Sequence, residues 1–283
     1  FRPNRTLTPL QVAADAGEHE RARKIYEECS EAYPDAPAAV NARYGGALTR
    51  FSLEEWEVSA EEFNSFLQRH PESDFADNAL FYRAEALFSA GQTAAARGAY
   101  ESLMQRFSES EFAARAAYGR AWCLRRDGRA EEASGEFEKA ARDYPKADVR
   151  PRAFYWAGQG RLEAGQTEEG RRSFQRALQL AKADDIRADA AYGIARSLLE
   201  EEAYEEATAA YERFLGDHPK SDRGPEALYD LAWVWRGRGN EKKALQYFDK
   251  VGDTNGDIAL RADAMFRMAE SLYRSERYGE AEK

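Results

Sequence analysis

The residues with the most chemistry in them are few, and their spacing scatters them. The histidines are His19, His70 and His218. His70 and His218 lie four lengths apart on a 37-residue interval that recurs along the chain. At roughly 8 to 10 Å per packed helix, that separation amounts to tens of ångströms, too far to share a metal. The cysteines, Cys29 and Cys123, are also far apart. They share columns of the interval with Phe66, Leu103 and Val251 and with Ala86 and Gly160 respectively, so both read as small buried thiols and imply no disulfide framework. Gly158-Gln159-Gly160 and Gly237-Arg238-Gly239 lack the third glycine and the preceding strand of a dinucleotide turn, and no phosphate loop or nucleophile elbow occurs. Acidic pairs such as Glu61-Glu62 and Glu131-Glu132 suit solvated helix faces. The expectation is a segment with no catalytic residue, no metal and no cofactor, hence not an enzyme.

Binding chemistry is better represented. A column of aromatics, Tyr44, Phe81, Tyr118, Tyr155, Tyr192, Tyr229 and Phe266, repeats every 37 residues. At 100° per helical residue, with the alanine two positions earlier (Ala42, Ala79, Ala116 and so on) at 0°, the aromatic points to 200°. Residues four and seven further on point to about 240° and 180°. The first of these columns holds Trp122, Arg196 and Trp233, and the second Arg125 and Arg236. Tyr, Trp and Arg are the side chains that concentrate binding energy at interfaces. The expected partner-binding residues are therefore Tyr118, Trp122, Arg125, Tyr155, Tyr192, Arg196, Tyr229, Trp233 and Arg236. For the aromatic ladder a second reading stands beside this one, as wedges packed between successive helices.

The elements that position these residues follow from the same interval. Ala22, Ser59, Ala96, Ala133, Gly170, Ala207, Ala244 and Ala281 form one column, and four residues later stand Tyr26, Phe63, Tyr100, Phe137, Phe174, Tyr211 and Phe248. This i, i+4 spacing puts a small residue and an aromatic on one helix face. Eight residues beyond the aromatic, Pro34, Pro71, Pro145 and Pro219 end the helix. Gly91, Gly128, Gly165 and Gly239 mark a left-handed turn before it. A first helix precedes that turn, with small residues at Ala47, Ala84, Ala121, Gly158, Ala195, Ala232 and Ala269 for close helix approach. Ser73 or Asp74, Ser110, Asp148 and Ser221 or Asp222 are its N-cap candidates. Each unit is a helix-turn-helix hairpin that cannot bury both faces alone, so units must stack. The sequence predicts an all-α, right-handed superhelical solenoid of about eight such repeats with a 37-residue period. It spans residues 1–283 as a single domain, with an incomplete first repeat around Thr8 to Gly17 and an incomplete last one. Its weakest joints are expected at Lys182 to Ile186 and Gly252 to Asp257, where the terminal proline is absent.

Composition bounds the partners. Lys and Arg total 41 against 51 Asp and Glu, a net charge of −10, so nucleic acid is not an expected partner. No apolar run approaches the ~18 residues needed to span a bilayer. Hydrophobic residues make up 43% of the 283, more than a disordered chain carries.

With Gly or Ala in the first helix, Ala-x-x-x-Phe/Tyr in the second and Pro at the end, the sequence resembles the tetratricopeptide repeat family along essentially its whole length. It departs from the family in its period, 37 rather than 34 residues, and in placing the first-helix aromatic one residue later than the common Trp. The loops His70-Pro71-Glu72-Ser73-Asp74 and Tyr144-Pro145-Lys146-Ala147-Asp148 are similar to those of bacterial envelope members, the periplasmic Tol-Pal coordinator and the ComL-like lipoprotein of outer-membrane assembly. The resemblance implies a non-catalytic scaffold whose first helices line a concave groove that holds an extended protein or peptide segment. It also implies a periplasmic or outer-membrane-associated place, any lipid anchor or further domain lying outside this segment. A polysaccharide-secretion scaffold, or the repeat region of a larger protein with a catalytic domain elsewhere, is the alternative. The carboxylate clamp of chaperone-binding members is not expected, because Asn41 and Asn78 do not complete it.

Overall fold

The structure, a computed structural model, describes residues 18–274. The incomplete first helix expected near Thr8 to Gly17, and the last column member Ala281, lie outside the described residues. Among the described residues there are fourteen helices and no strand, an all-α repeat solenoid. Second helices of the repeat are α1 (His19–Ala32), α3 (Trp56–Arg69), α5 (Thr93–Arg106), α7 (Ala130–Asp143), α9 (Thr167–Leu180), α11 (Tyr204–Asp217) and α13 (Glu241–Gly252). First helices are α2 (Pro37–Ser52), α4 (Ala76–Ser89), α6 (Ala113–Arg126), α8 (Arg150–Glu163), α10 (Asp184–Glu200), α12 (Gly224–Gly237) and α14 (Ile258–Arg274). The chain forms two compact units that divide between Glu132 and Ala133, early in α7.

The second-helix aromatics are the core. Phe63, Phe137, Phe174, Tyr211 and Phe248 have no exposed surface and Tyr100 only 1%. They are admitted by an absence of side chain opposite. A Cβ on Gly119 would lie 2.5 Å from the Tyr100 ring, and one on Gly45 or Gly193 2.8 Å from Tyr26 or Phe174. Gly45, Gly119 and Gly193 alternate, 74 residues apart, with Tyr82, Trp156 and Asp230 in the same 37-residue column. Tyr82 stacks on Phe63 at 6.1 Å, whereas Asp230 accepts a hydrogen bond from the Tyr211 hydroxyl at 2.9 Å. Thus a double repeat underlies the single one: a core aromatic meets glycine in one hairpin and a large partner in the next.

Hydroxyl and carboxylate are matched. Where the core aromatic is Tyr100, its hydroxyl donates to Glu85, and where it is Tyr211, to Asp230. Burial raises both carboxyls above the ordinary carboxylate range, and the tyrosine hydrogen bonds oppose that rise.

The turns follow one backbone pattern. Gly91, Gly128, Gly165 and Gly239 are left-handed, and so are Glu54 and Glu202 in the same column, at φ 61° and 58°. His70 and His218, each followed by a proline, close their second helices at φ near −130° and ψ near 57°, outside the helical region. Phe107 does the same with Ser108 following it. The serines expected as N-caps sit further upstream: Ser73, Ser110 and Ser221 accept from the backbone N–H of Phe75, Phe112 and Arg223, which are themselves the cap residues. These hydroxyls fix the turn that enters the helix rather than the helix's own first amides. At the joint lacking proline near Lys182, α10 starts at Asp184 and is 17 residues long, so the connection shortens.

Candidate functional site: the first-helix face

Within each unit, successive first helices touch one another: α2 with α4 and α4 with α6, then α8 with α10, α10 with α12 and α12 with α14. No pair of successive second helices makes a comparable contact among the described residues. Hairpins whose first helices crowd and whose second helices splay curve toward the first-helix side. The inner face of each unit is therefore built from first helices, and residues at the 180–260° directions of those helices are the ones it can present.

The ladder is largely spent on packing. Tyr44 and Phe81 are 3% and 2% exposed. Each stacks on a residue 31 positions later, Phe75 at 4.7 Å and Phe112 at 4.8 Å. Tyr192 makes the equivalent contact with Arg223, whose guanidinium lies 5.6 Å over the ring, while Arg223 bonds Asp189 at 3.2 Å. Tyr155 is also buried, at 7% exposure, against Trp156 at 5.2 Å and Phe174 at 5.8 Å. Tyr118, Tyr192 and Tyr229 are half-buried, the Tyr192 hydroxyl donating to Asp230 at 2.7 Å and that of Tyr229 to Asp263. The wedge reading thus describes Tyr44, Phe81 and Tyr155, and the surface reading has material only at the other four, of which Phe266 is the most open at 60% exposure.

The next columns remain open. Trp122 and Trp233 are half-buried and hold the same edge-on geometry to the tyrosine one turn earlier, Tyr118 at 6.3 Å and Tyr229 at 6.2 Å. In the first unit, α6 carries Tyr118, Trp122 and the half-buried Arg125. In the second unit, Arg236 lies 4.9 Å over the Trp233 ring and Arg267 5.5 Å over it, with Phe248 edge-on at 5.8 Å. Both guanidiniums are already matched. Arg236 bonds Glu241 at 3.0 Å, and Arg267 pairs with Asp263 at 3.5 Å and Glu270 at 3.4 Å. Arg196 differs: its side chain is 48% exposed, and Glu200 is 3.9 Å away.

A polar column three residues before the ladder was missed in reading the sequence, although it is written there: Asn41, Asn78, Arg115, Arg152, Asp189, Glu226 and Asp263. Its direction, 260°, falls on the same inner face. In the first unit Arg115 lies 4.8 Å over the Phe81 ring. In the second, Arg152 reaches Asp185 at 3.6 Å, Asp189 holds Arg223, and Asp263 accepts from the Tyr229 hydroxyl. The arrangement combines aromatic rings, tyrosine hydroxyls bonded to carboxylates, and paired charges. Among the described residues no helix is long and apolar enough to cross a membrane.

The tetratricopeptide repeat profile matches residues 44–111, 83–148, 155–222 and 193–258. Among curated proteins no match is found. Among solved structures, YrrB, described as a TPR protein with an unusual peptide-binding site, is 24% identical; the match covers 72% of this chain and 98% of that one with a TM-score of 0.56. The C-terminal part of a TPR repeat-containing protein from Cytophaga hutchinsonii is 14% identical, covering 90% and 97%, with a TM-score of 0.71. PilW, described as a type IV pilus biogenesis factor, is 17% identical, covering 77% and 94%, with a TM-score of 0.55. These structures share the fold. With profile matches extending over most of the described repeats, each carrying the small-residue and aromatic columns, the chain belongs to the tetratricopeptide repeat family.

Proposed function

We propose that this protein is a non-catalytic scaffold that holds an extended protein or peptide segment against its first helices, in a bacterial envelope assembly at the periplasm or outer membrane. The observation that carries the reading is the repeated Tyr-Trp geometry on the inner face, Tyr118 with Trp122 in one unit and Tyr229 with Trp233 in the other, the second with Arg236 over the Trp233 ring. Half-buried aromatic rings are already rigid, so contact with a partner costs little side-chain entropy. Arg125 and Arg236 stand three residues beyond these tryptophans on the same helices, Arg196 and Tyr192 occupy the same columns on α10, and Tyr155 is buried in the packing behind them on α8. The peptide-binding site described for YrrB supports the groove, and the pilus role described for PilW supports the envelope.

The test is selection of peptides from a random phage-displayed library on the full chain, followed by affinities for Trp122→Ala and Trp233→Ala. Both substitutions are expected to weaken the selected peptides at least tenfold, about 1.4 kcal/mol, with helicity retained. Unchanged affinity in well-folded variants would move binding to the second-helix face or the loops.

A further inference from the structure

The exposed apolar bulk of the molecule is concentrated on one helix. Of seven large apolar side chains left exposed among the described residues, four are on α14: Ile258 at 80%, Met265 at 64%, Phe266 at 60% and Tyr273 at 63%. With Ala264 at 0°, they point to about 120°, 100°, 200° and 180°. Ala262 and Ala269, at about 160° and 140°, fill the middle of the same face. The opposite side of α14 is the packed one, with Ala264 and Leu272 buried and Leu260 and Met268 against the core. A helix that is apolar on both sides is the pattern of one covered on both.

The exposed face is matched to itself. Ile258 and Tyr273, Ala262 and Ala269, and Met265 and Phe266 are each centred on one point of the helix, between positions 265 and 266. Two copies of α14 laid antiparallel across a two-fold axis at that point bring Ile258 level with Tyr273 of the other copy, and Ala262 level with its Ala269. Met265 and Phe266 fall on opposite edges of the face, so at the axis each meets its own counterpart. The alanine layers between leave room for the helices to approach. A two-fold axis also sets each nearby charge against its own copy, and this face carries none. Arg267 pairs with Asp263 and Glu270 beyond one edge, and Arg261 donates to the Gly252 carbonyl beyond the other. The ladder shows what Phe266 lacks. Tyr44 and Phe81 in the same column are covered by Phe75 and Phe112, whereas Phe266 has Arg267 5.5 Å over its ring and no aromatic cover among the described residues.

We propose that α14 is a dimer interface on which a second copy of this chain lies antiparallel, Phe266 packing on its counterpart at the two-fold axis. Such a contact is isologous and closes on itself. It is one helix wide, so the dimer is reversible and depends on protein concentration. The inference stands apart from the groove reading, whose site residues lie on α6, α8, α10 and α12.

Sedimentation equilibrium of the full chain over a wide concentration range is expected to show monomer and dimer in exchange. Met265→Glu places two like charges together at the axis and is expected to weaken the dimer at least tenfold, with helicity unchanged. Disulfide trapping fixes the register. In a Cys29→Ser background, Phe266→Cys is expected to give a covalent dimer on oxidation with copper phenanthroline. Ile258→Cys and Tyr273→Cys are expected to trap each other when mixed, and neither to trap itself. A full chain that stays monomeric, a dimer indifferent to Met265→Glu, or self-trapping by Ile258→Cys alone would overturn the proposal. In a monomer, acrodan attached at Phe266→Cys says what replaces it: a shielded dye gives the face to residues 275–283 of the same chain, and a dye in water leaves it to a different protein, each outcome against a second copy.

Discussion

Removing the Phe174 ring tests the packing that sets the whole repeat. Phe174 has no exposed surface and is pressed between two glycines, a Cβ on either Gly158 or Gly193 falling 2.8 Å from its ring. Phe174→Ala loses about 1.5 to 3 kcal/mol of side-chain burial. A void of ~100 Å³, at about 24 cal/mol per Å³, adds about 2.4 kcal/mol where nothing collapses into it. Neither glycine has a side chain to relax into the space, so the cost is expected near the top of the usual range, about 4 to 5 kcal/mol. Phe174→Leu keeps much of the volume and should cost about 1.5 kcal/mol. Glu168→Ala, an exposed position on the same helix, should be close to neutral. Urea unfolding followed by circular dichroism gives all three. Phe174→Ala below 1.5 kcal/mol, or no dearer than Glu168→Ala, would refute the reasoning, because the ring would not then be the element on which neighbouring hairpins close.

Phe137→Ala is expected to cost ~3 to 5 kcal/mol against a near-neutral Glu131→Ala, and equal unfolding midpoints would mean the second-helix face is misassigned. Glu202 occupies a left-handed conformation at φ 58°, so Glu202→Gly should stabilise by about 1 kcal/mol and raise the melting temperature; a fall would show that the side chain earns its place. Burial raises the Asp230 carboxyl above its unfolded value near 3.9, so the folded state holds the extra proton between those values, and the stability that Asp230 contributes declines as pH rises through that window. Melting of the wild type relative to Asp230→Asn should therefore fall from about pH 4 toward neutrality, and a rising difference contradicts the burial. Chelator should leave the melting temperature unchanged, and a drop of several degrees would point to a bound metal.

The period was legible because the constraint that sets it is local. A small residue and an aromatic four positions apart appear in every second helix, and Gly91, Gly128, Gly165 and Gly239 announce the turn before it. Glu54 and Glu202 take the same backbone conformation without glycine's freedom, so stacking overrides preference there. The partners of the ladder were harder to see. Phe75, Phe112 and Arg223 stand outside the helices in sequence terms, at their caps, and only the stacked arrangement shows that they cover Tyr44, Phe81 and Tyr192. The alternation of Gly45, Gly119 and Gly193 with Tyr82, Trp156 and Asp230 was present in the sequence but is masked by the shorter period. Columns identify which face a residue occupies; they do not reveal how an arginine's charge is used. Arg236 reads as an open cation in sequence and is bonded to Glu241 across the following turn.

The central claim is that an extended partner lies on the first-helix face. Photo-cross-linking tests it directly, with p-benzoylphenylalanine placed at position 233 or 122 on that face, or at position 213, a largely exposed second-helix position. With a peptide selected on the full chain, covalent adducts are predicted from 233 or 122 and none from 213. Adducts from 213 alone, with 122 and 233 silent, would contradict the account.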